Sequence, residues 1–173
     1  MTRVFLMALV APMLIVGLLA ANPALAIPEG DRLKLSLGSF DVYGTWSKKS
    51  CAAQTVMRSQ ARKRVGFSVY WTPGRQLYLM TTHPDARRVQ GNQQVQIRFP
   101  NGEAMAFAMK RTGQALYTDI GFGSNARSFY RQIESNRSMR IEWPALDDAV
   151  DVDLRQRREL EAAMRHCRDW LRS

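Results

Sequence analysis

Cys51 and Cys167 are the only two thiols in this 173-residue chain, and almost everything apart from its apolar opening and first strands lies between them. The opening has the form of an export signal. Arg3 supplies the positive start, Val4 to Ala21 carries no charge, and Ala24-Leu25-Ala26 is a small-x-small cleavage site before Ile27. Residues 1–26 therefore read as a signal peptide and 27–173 as a single domain. A retained membrane anchor is the other reading of the apolar run, against which Pro12 interrupts it. An exported chain with an even pair of thiols most simply joins them, which would tie the C-terminal segment to the first strands. In the chain-entropy picture, closing a loop of about 100 residues stabilises by about 4.7 kcal/mol.

The charge balance bears on partners. The chain carries 25 Lys and Arg against 15 Asp and Glu, and loss of residues 1–26 removes only Arg3, so the mature net charge falls from +10 to +9. A basic exported protein drifts toward anionic lipid head groups and acidic polymers, and nucleic acid is not an expected partner outside the cytoplasm. The densest basic stretches are Arg58, Arg62, Lys63 and Arg64, and then Arg87 and Arg88. Each reads as a solvated loop or as a contact for an anionic envelope partner.

Period-two alternation dominates the rest. Leu33, Leu35 and Leu37 alternate with polar residues, and Phe40 to Tyr43 reads as a continuation of that strand. Ala52 to Met57 forms the next. Val65, Phe67, Val69 and Trp71 alternate up to a Pro73-Gly74 turn, and Leu77, Leu79 and Thr81 alternate after it. Val95, Ile97 and Phe99 lead into Asn101-Gly102, a strong hairpin signal. The return strand from Glu103 to Met109 is apolar on both faces and reads as covered on both. Ala115 to Ile120 follows, then Met139 to Trp143 and Val150 to Leu154. Trp46, close to Cys51, reads as a core indole.

The period changes twice. Ala126, Phe129, Tyr130 and Ile133 share one face of a short helix near 125–134, capped by Ser124 or Asn125. Leu160, Ala163, Met164, Cys167, Trp170 and Leu171 make the apolar stripe of a C-terminal helix. The sequence thus predicts a mainly β fold: one antiparallel β-sandwich or barrel-like domain of seven to nine short strands, with those two helices.

No set of residues specifies a chemistry. Gly121 to Ala126 matches G-x-G-x-x-A, but antiparallel hairpins precede it where a dinucleotide site needs a parallel βαβ unit. The chain has two histidines, His83 and His166, too few for a zinc site with the cysteines paired; no metal and no cofactor is expected. Asp147, Asp148, Asp151 and Asp153 lack the glycine and terminal Glu of a calcium loop and read as a solvated turn. An exported hydrolase or thiol enzyme using Cys51 or Cys167 with His83 is the competing class.

The chain resembles the invasion-associated locus B family of exported bacterial proteins. The likeness is carried by Tyr43-Gly44-Thr45-Trp46-Ser47 leading to Cys51, by the helix and strand from Asn125 to Trp143, and by Asp151-Val152-Asp153-Leu154 entering the last helix. It departs from the family where members place further cysteines; here only Cys167 can partner Cys51. The resemblance implies a β-rich protein of the periplasm or cell surface with no catalytic residues, and the basic loops add the expectation that it binds an envelope protein or an anionic surface. An inhibitor or assembly factor of another envelope protein would share these features.

Overall fold

The computed structural model describes residues 31–72, 77–121 and 123–172. The signal peptide read over 1–26 and the Pro73-Gly74 turn lie outside these residues. The protein is mainly β: ten antiparallel strands form one open sheet in the order β1-β2-β3-β4-β5-β8-β7-β6-β9-β10. The strands are β1 (Arg32–Leu37), β2 (Phe40–Thr45), β3 (Ser50–Arg58), β4 (Arg64–Trp71), β5 (Leu77–Thr82), β6 (Gln93–Arg98), β7 (Ala104–Thr112), β8 (Ala115–Asp119), β9 (Ser138–Trp143) and β10 (Asp148–Asp153). Among the described residues two α-helices, α1 (Ser124–Ser135) and α2 (Arg157–Trp170), accompany the sheet.

Residues opposite one another in an antiparallel pair share a face of the sheet. Val42 stands opposite Ala53, Ala53 opposite Val69, and Val69 opposite Leu79. Farther along, Ile97 stands opposite both Met105 and Ile141, and Ile141 opposite Val150. The alternating apolar residues of all these strands therefore line one face, and the sheet curls around it. The far strand β10 returns to the turn after β3, where the Gln60 amide donates to the Ala149 carbonyl at 2.8 Å. The main core inside this curl includes Phe67, Leu79, Ile97, Ile141 and Trp143, each exposed by 1% or less. Helix α1 adds Phe129, which meets Phe107 edge to face at 6.1 Å between ring centres. Helix α2 covers the remaining part, β1 to β3, where Leu33, Val42, Cys51 and Ala53 meet Ala163, Cys167 and Leu171 in a second, smaller core.

Three expectations are corrected. Phe40–Tyr43 does not continue the first strand: the chain reverses at Gly38, whose φ of +54° is open to glycine at little cost, and Leu37 pairs with Phe40. Strand β7 is interior in the sheet order but is covered on one face only; Phe107 and Met109 are buried while Ala104, Ala106 and Ala108 are exposed. Methyl side chains expose so little apolar area that an alanine row is tolerated in water. Trp46 is no core residue either: it is 37% exposed, stacks edge to face on Trp170 at 5.6 Å, and carries the Lys49 ammonium 3.2 Å above its ring.

The Tyr43-Gly44-Thr45-Trp46 stretch owes its glycine to close approach. Gly44 pairs with Cys51, and a Cβ added there would stand 2.7 Å from the Trp170 ring and 2.9 Å from the Cys167 sulfur. Both neighbours are stiff, one an indole and the other half of a disulfide. Gly44→Ala is expected to cost about 2 kcal/mol through overpacking and to change the near-ultraviolet circular dichroism of the Trp46–Trp170 pair. An unchanged urea midpoint and spectrum would show that α2 is free to shift.

Candidate functional site

The turn between β3 and β4 brings the first basic stretch to one end of the curled sheet, and the connection after β5 brings the second beside it. Pro84–Arg88 forms a short 3₁₀ turn whose N-terminal cap is His83, with Pro84 supplying a preset φ. Asp85 lies between the two segments. Its carboxylate pairs with the Lys63 ammonium on one side and with Arg88 Nη1, at 3.3 Å, on the other. The hydrogen bond from Lys63 holds the Asp85 carboxyl below its ordinary pKa against the opposing effect of burial, with Arg88 assisting. Arg58 reaches the Arg62 carbonyl at 3.4 Å. The turn after β7 joins this end through the His83 amide, which donates to the Gln114 carbonyl at 3.0 Å. That contact brings the exposed Lys110 and Arg111, at the end of β7, to the same end. With the Gln114 side-chain oxygen facing it, the Arg87 guanidinium donates to that oxygen through Nε at 3.2 Å.

The two basic stretches, separate in sequence, thus form one cationic end in which Arg58, Arg62, Arg64, Arg87 and Arg88 are exposed and Lys63 is half-buried. Asp85 offsets one charge of the six, and the exposed Asp147 and the buried Asp148 lie at the same end. The opposite end of the sheet carries Asp31, Glu103, Asp119 and Asp153 among its cations.

Beneath the cationic end is a buried polar corner that no local pattern announced. Asp148, read from sequence as part of a solvated turn, is only 7% exposed, and Ser59 and His83 are 6% and 1% exposed. Asp148 Oδ2 accepts from Ser59 Oγ at 2.5 Å and faces His83 Nε2 at 2.9 Å. Its Oδ1 accepts from the amides of Ala61 at 3.0 Å and Ala149 at 2.8 Å. The Asp85 amide donates to His83 Nδ1 at 3.1 Å, which leaves Nε2 to carry the ring proton toward Asp148. Burial alone would raise the Asp148 pKa; the four donors outweigh it and hold the carboxyl below its usual value.

The composition of this corner matches a hydrolase triad and its wiring does not. In a nucleophilic relay the serine hydroxyl gives its proton to the histidine, and the aspartate holds the far ring nitrogen. Here the serine and the histidine both point at the same carboxylate oxygen, and all three side chains are sealed from solvent. What the corner does is join three segments: the β3–β4 turn, the connection after β5, and the start of β10. The His83 ring also packs on Trp143 at 5.2 Å, and Trp143 Nε1 donates to Thr81 Oγ1 at 3.1 Å.

The other candidate residues are placed as follows. Cys51 and Cys167 are joined as a disulfide, S–S 2.05 Å and Cα–Cα 6.1 Å, in the smaller core between β3 and α2. His83 stands in the polar corner instead, so the structure does not bring it to either sulfur. Gly121 precedes α1 after an antiparallel strand, and the helix takes Gly123 as its N-cap without a side-chain bond, in place of the expected Ser124 or Asn125. Among the described residues no helix is long and apolar enough to cross a membrane. No protein-family model, no curated protein and no solved structure matches this chain.

Proposed function

We propose that this protein is a non-catalytic component of the cell envelope, exported to the periplasm or the surface, that docks on anionic lipid or polymer through its cationic end. The single observation that carries the reading is the convergence of the 58–64 and 87–88 segments on either side of Asp85. The resemblance to the invasion-associated locus B family points to the same setting. The polar corner supports it from below by holding the loops that bear these cations in fixed relation. A lysine or arginine near an anionic surface contributes about 1 kcal/mol, an attraction that fades within a Debye length of about 10 Å at 0.1 M salt.

The test is co-sedimentation of the mature chain, residues 27–173, with phosphatidylglycerol vesicles. The combined substitution Arg62→Glu, Arg87→Glu and Arg88→Glu is expected to weaken binding by about 100-fold, and added salt to weaken binding of the wild type in parallel. These three side chains are exposed, so the thermal midpoint should stay near that of the wild type. Binding that ignores both salt and the substitutions would sink the proposal.

A further inference from the structure

A cleft of about 500 Å³ opens where α1 and α2 meet over the sheet. Its floor is the inner face of β2 to β5, including Phe40, Phe67, Val69 and Leu77, and its apolar walls are Ile133 of α1 and Leu160 and Met164 of α2. Phe40, Phe67 and Leu77 are nearly sealed, so the open apolar surface comes mainly from the half-buried Trp71, Ile133, Leu160 and Met164 at the seam between the two cores. The volume falls within the range of about 300–1,000 Å³ usual for small-molecule sites, and an apolar interior with a few polar groups at its edge is the usual composition.

The edge is charged, and unevenly so. Four arginines, Arg127, Arg157, Arg158 and Arg168, stand against Glu134 and Glu161. Glu161 is already held by Arg165 at 3.0 Å, and at the same end Arg157 Nε donates to the Glu134 carbonyl at 2.7 Å. The other end carries Arg127, Arg168 and Tyr130, with no carboxylate among the cleft residues there. Arg168 lies 5.9 Å above the Trp71 ring, which anchors its guanidinium at the mouth. Tyr130 leaves 43% of its surface exposed. Crowding of its hydroxyl raises the phenol pKa, opposed by the charge of Arg168, so the group stays a donor near neutral pH.

We propose that this cleft binds one long-chain fatty acid, the acyl chain lying on the apolar floor between the helices and the carboxylate held at the Arg127, Tyr130 and Arg168 end. Charge complementarity selects the head: two guanidiniums and a phenol offer donors that fit a carboxylate. A volume of about 500 Å³ has room for one long acyl chain. The site is separate from the cationic end, and neither reading depends on the other.

The mature chain, residues 27–173, stripped of lipid on a hydrophobic resin, is titrated with fatty acids while tryptophan emission is followed, Trp71 lying in the cleft. Hexadecanoate should bind saturably, and affinity should rise about fourfold per methylene along the series from decanoate. Arg127→Gln with Arg168→Gln should weaken hexadecanoate about tenfold and leave hexadecanol unaffected. Met164→Trp, which fills the cleft, should abolish binding of both; if that variant fails to fold, the arginine pair alone decides. Equal binding of hexadecanol and hexadecanoate by the wild type, a preference for lysophosphatidylglycerol over the free acid, or no saturable binding overturns the assignment. Vesicle docking by the Arg127→Gln and Arg168→Gln variant should match the wild type, so the two readings fail separately.

Discussion

Replacing Cys51 and Cys167 together by alanine is expected to lower stability by about 4 kcal/mol and the thermal midpoint by on the order of 10 °C. The bond joins residues 116 apart, so the unfolded chain without it regains the freedom of a loop that spans most of the domain. The folded state loses as well, because α2 has little else to hold it. Of its side chains only Ala163 and Cys167 are buried outright, followed by Leu171 at the C-cap, while Leu160, Met164 and Trp170 remain half-covered. A helix docked on so little fully buried apolar surface is a low-stability unit of the kind that opens ahead of the whole molecule. In the double variant, amide exchange in α2 should therefore accelerate first and by the largest factor, with β4 and β5 following only at global unfolding. Equal urea midpoints for the variant and the oxidised wild type would show that packing alone holds the helix. Alanine is the replacement of choice because two buried thiols would themselves change the packing.

The second large effect is expected at Asp148. Asp148→Ala strips the acceptor from four donors at once, two of them backbone amides, and leaves them without partners in a closed site. Breaking such a buried set costs about 4 kcal/mol. Asp148→Asn keeps the shape and one acceptor oxygen, so a smaller cost, about 2 kcal/mol, is expected from the loss of the charge and of one matched contact. The pH dependence carries the distinguishing signature. The folded-state pKa of Asp148 is depressed, so its contribution is complete above the ordinary carboxylate value of about 4 and is lost as pH falls through the lower folded value. The exposed Asp31 and Asp153 and the part-buried Asp41 and Asp85 are depressed too, by hydrogen bonds from Ser47, Arg155, Ser36 and Lys63 respectively, and add to the acid slope. The Asn variant should lose stability less steeply than the wild type below pH about 4. Parallel stability curves would mean that Asp148 does not carry its charge in the folded protein.

The consequence of that corner reaches the surface. Ser59 and His83 flank the segments that carry Lys63 and Arg87, so loosening Asp148 should also loosen the cationic end. Asp148→Asn removes a negative charge beneath the cationic end, which by itself favours an anionic surface, so weaker vesicle binding by this variant would report loosened loops and not charge.

How much of this was readable in advance depends on the range of the interactions. The strands from Val65 to Thr81, the Asn101-Gly102 hairpin and the stripe from Leu160 to Leu171 were legible because alternation and helical spacing are properties of neighbouring residues. The reversal at Gly38 was not, since a strand interrupted by glycine and a hairpin with a short turn share one alternating pattern; only the pairing of β1 back onto β2, with Leu37 opposite Phe40, separates them. Trp46 and Asp148 were misjudged for a related reason. Aromatic residues near a disulfide favour burial and an Asp-Asp pair favours water, but each average was overruled by a specific partner, Trp170 in one case and the Ser59–His83 pair in the other.

The amino-acid sequence by itself determined the antiparallel β character, the two helices, the sides of the strands that face inward and the excess of positive charge, all of which follow from local period and composition. Only the tertiary structure decided that two basic stretches share one end, that a serine, a histidine and an aspartate drawn from three separate segments meet in the dark, and that a charged-rimmed cleft stays open between the helices. Those features depend on how far a ten-stranded sheet curls and where its last strand returns, and curl is a sum over every strand pair that no short window of residues contains.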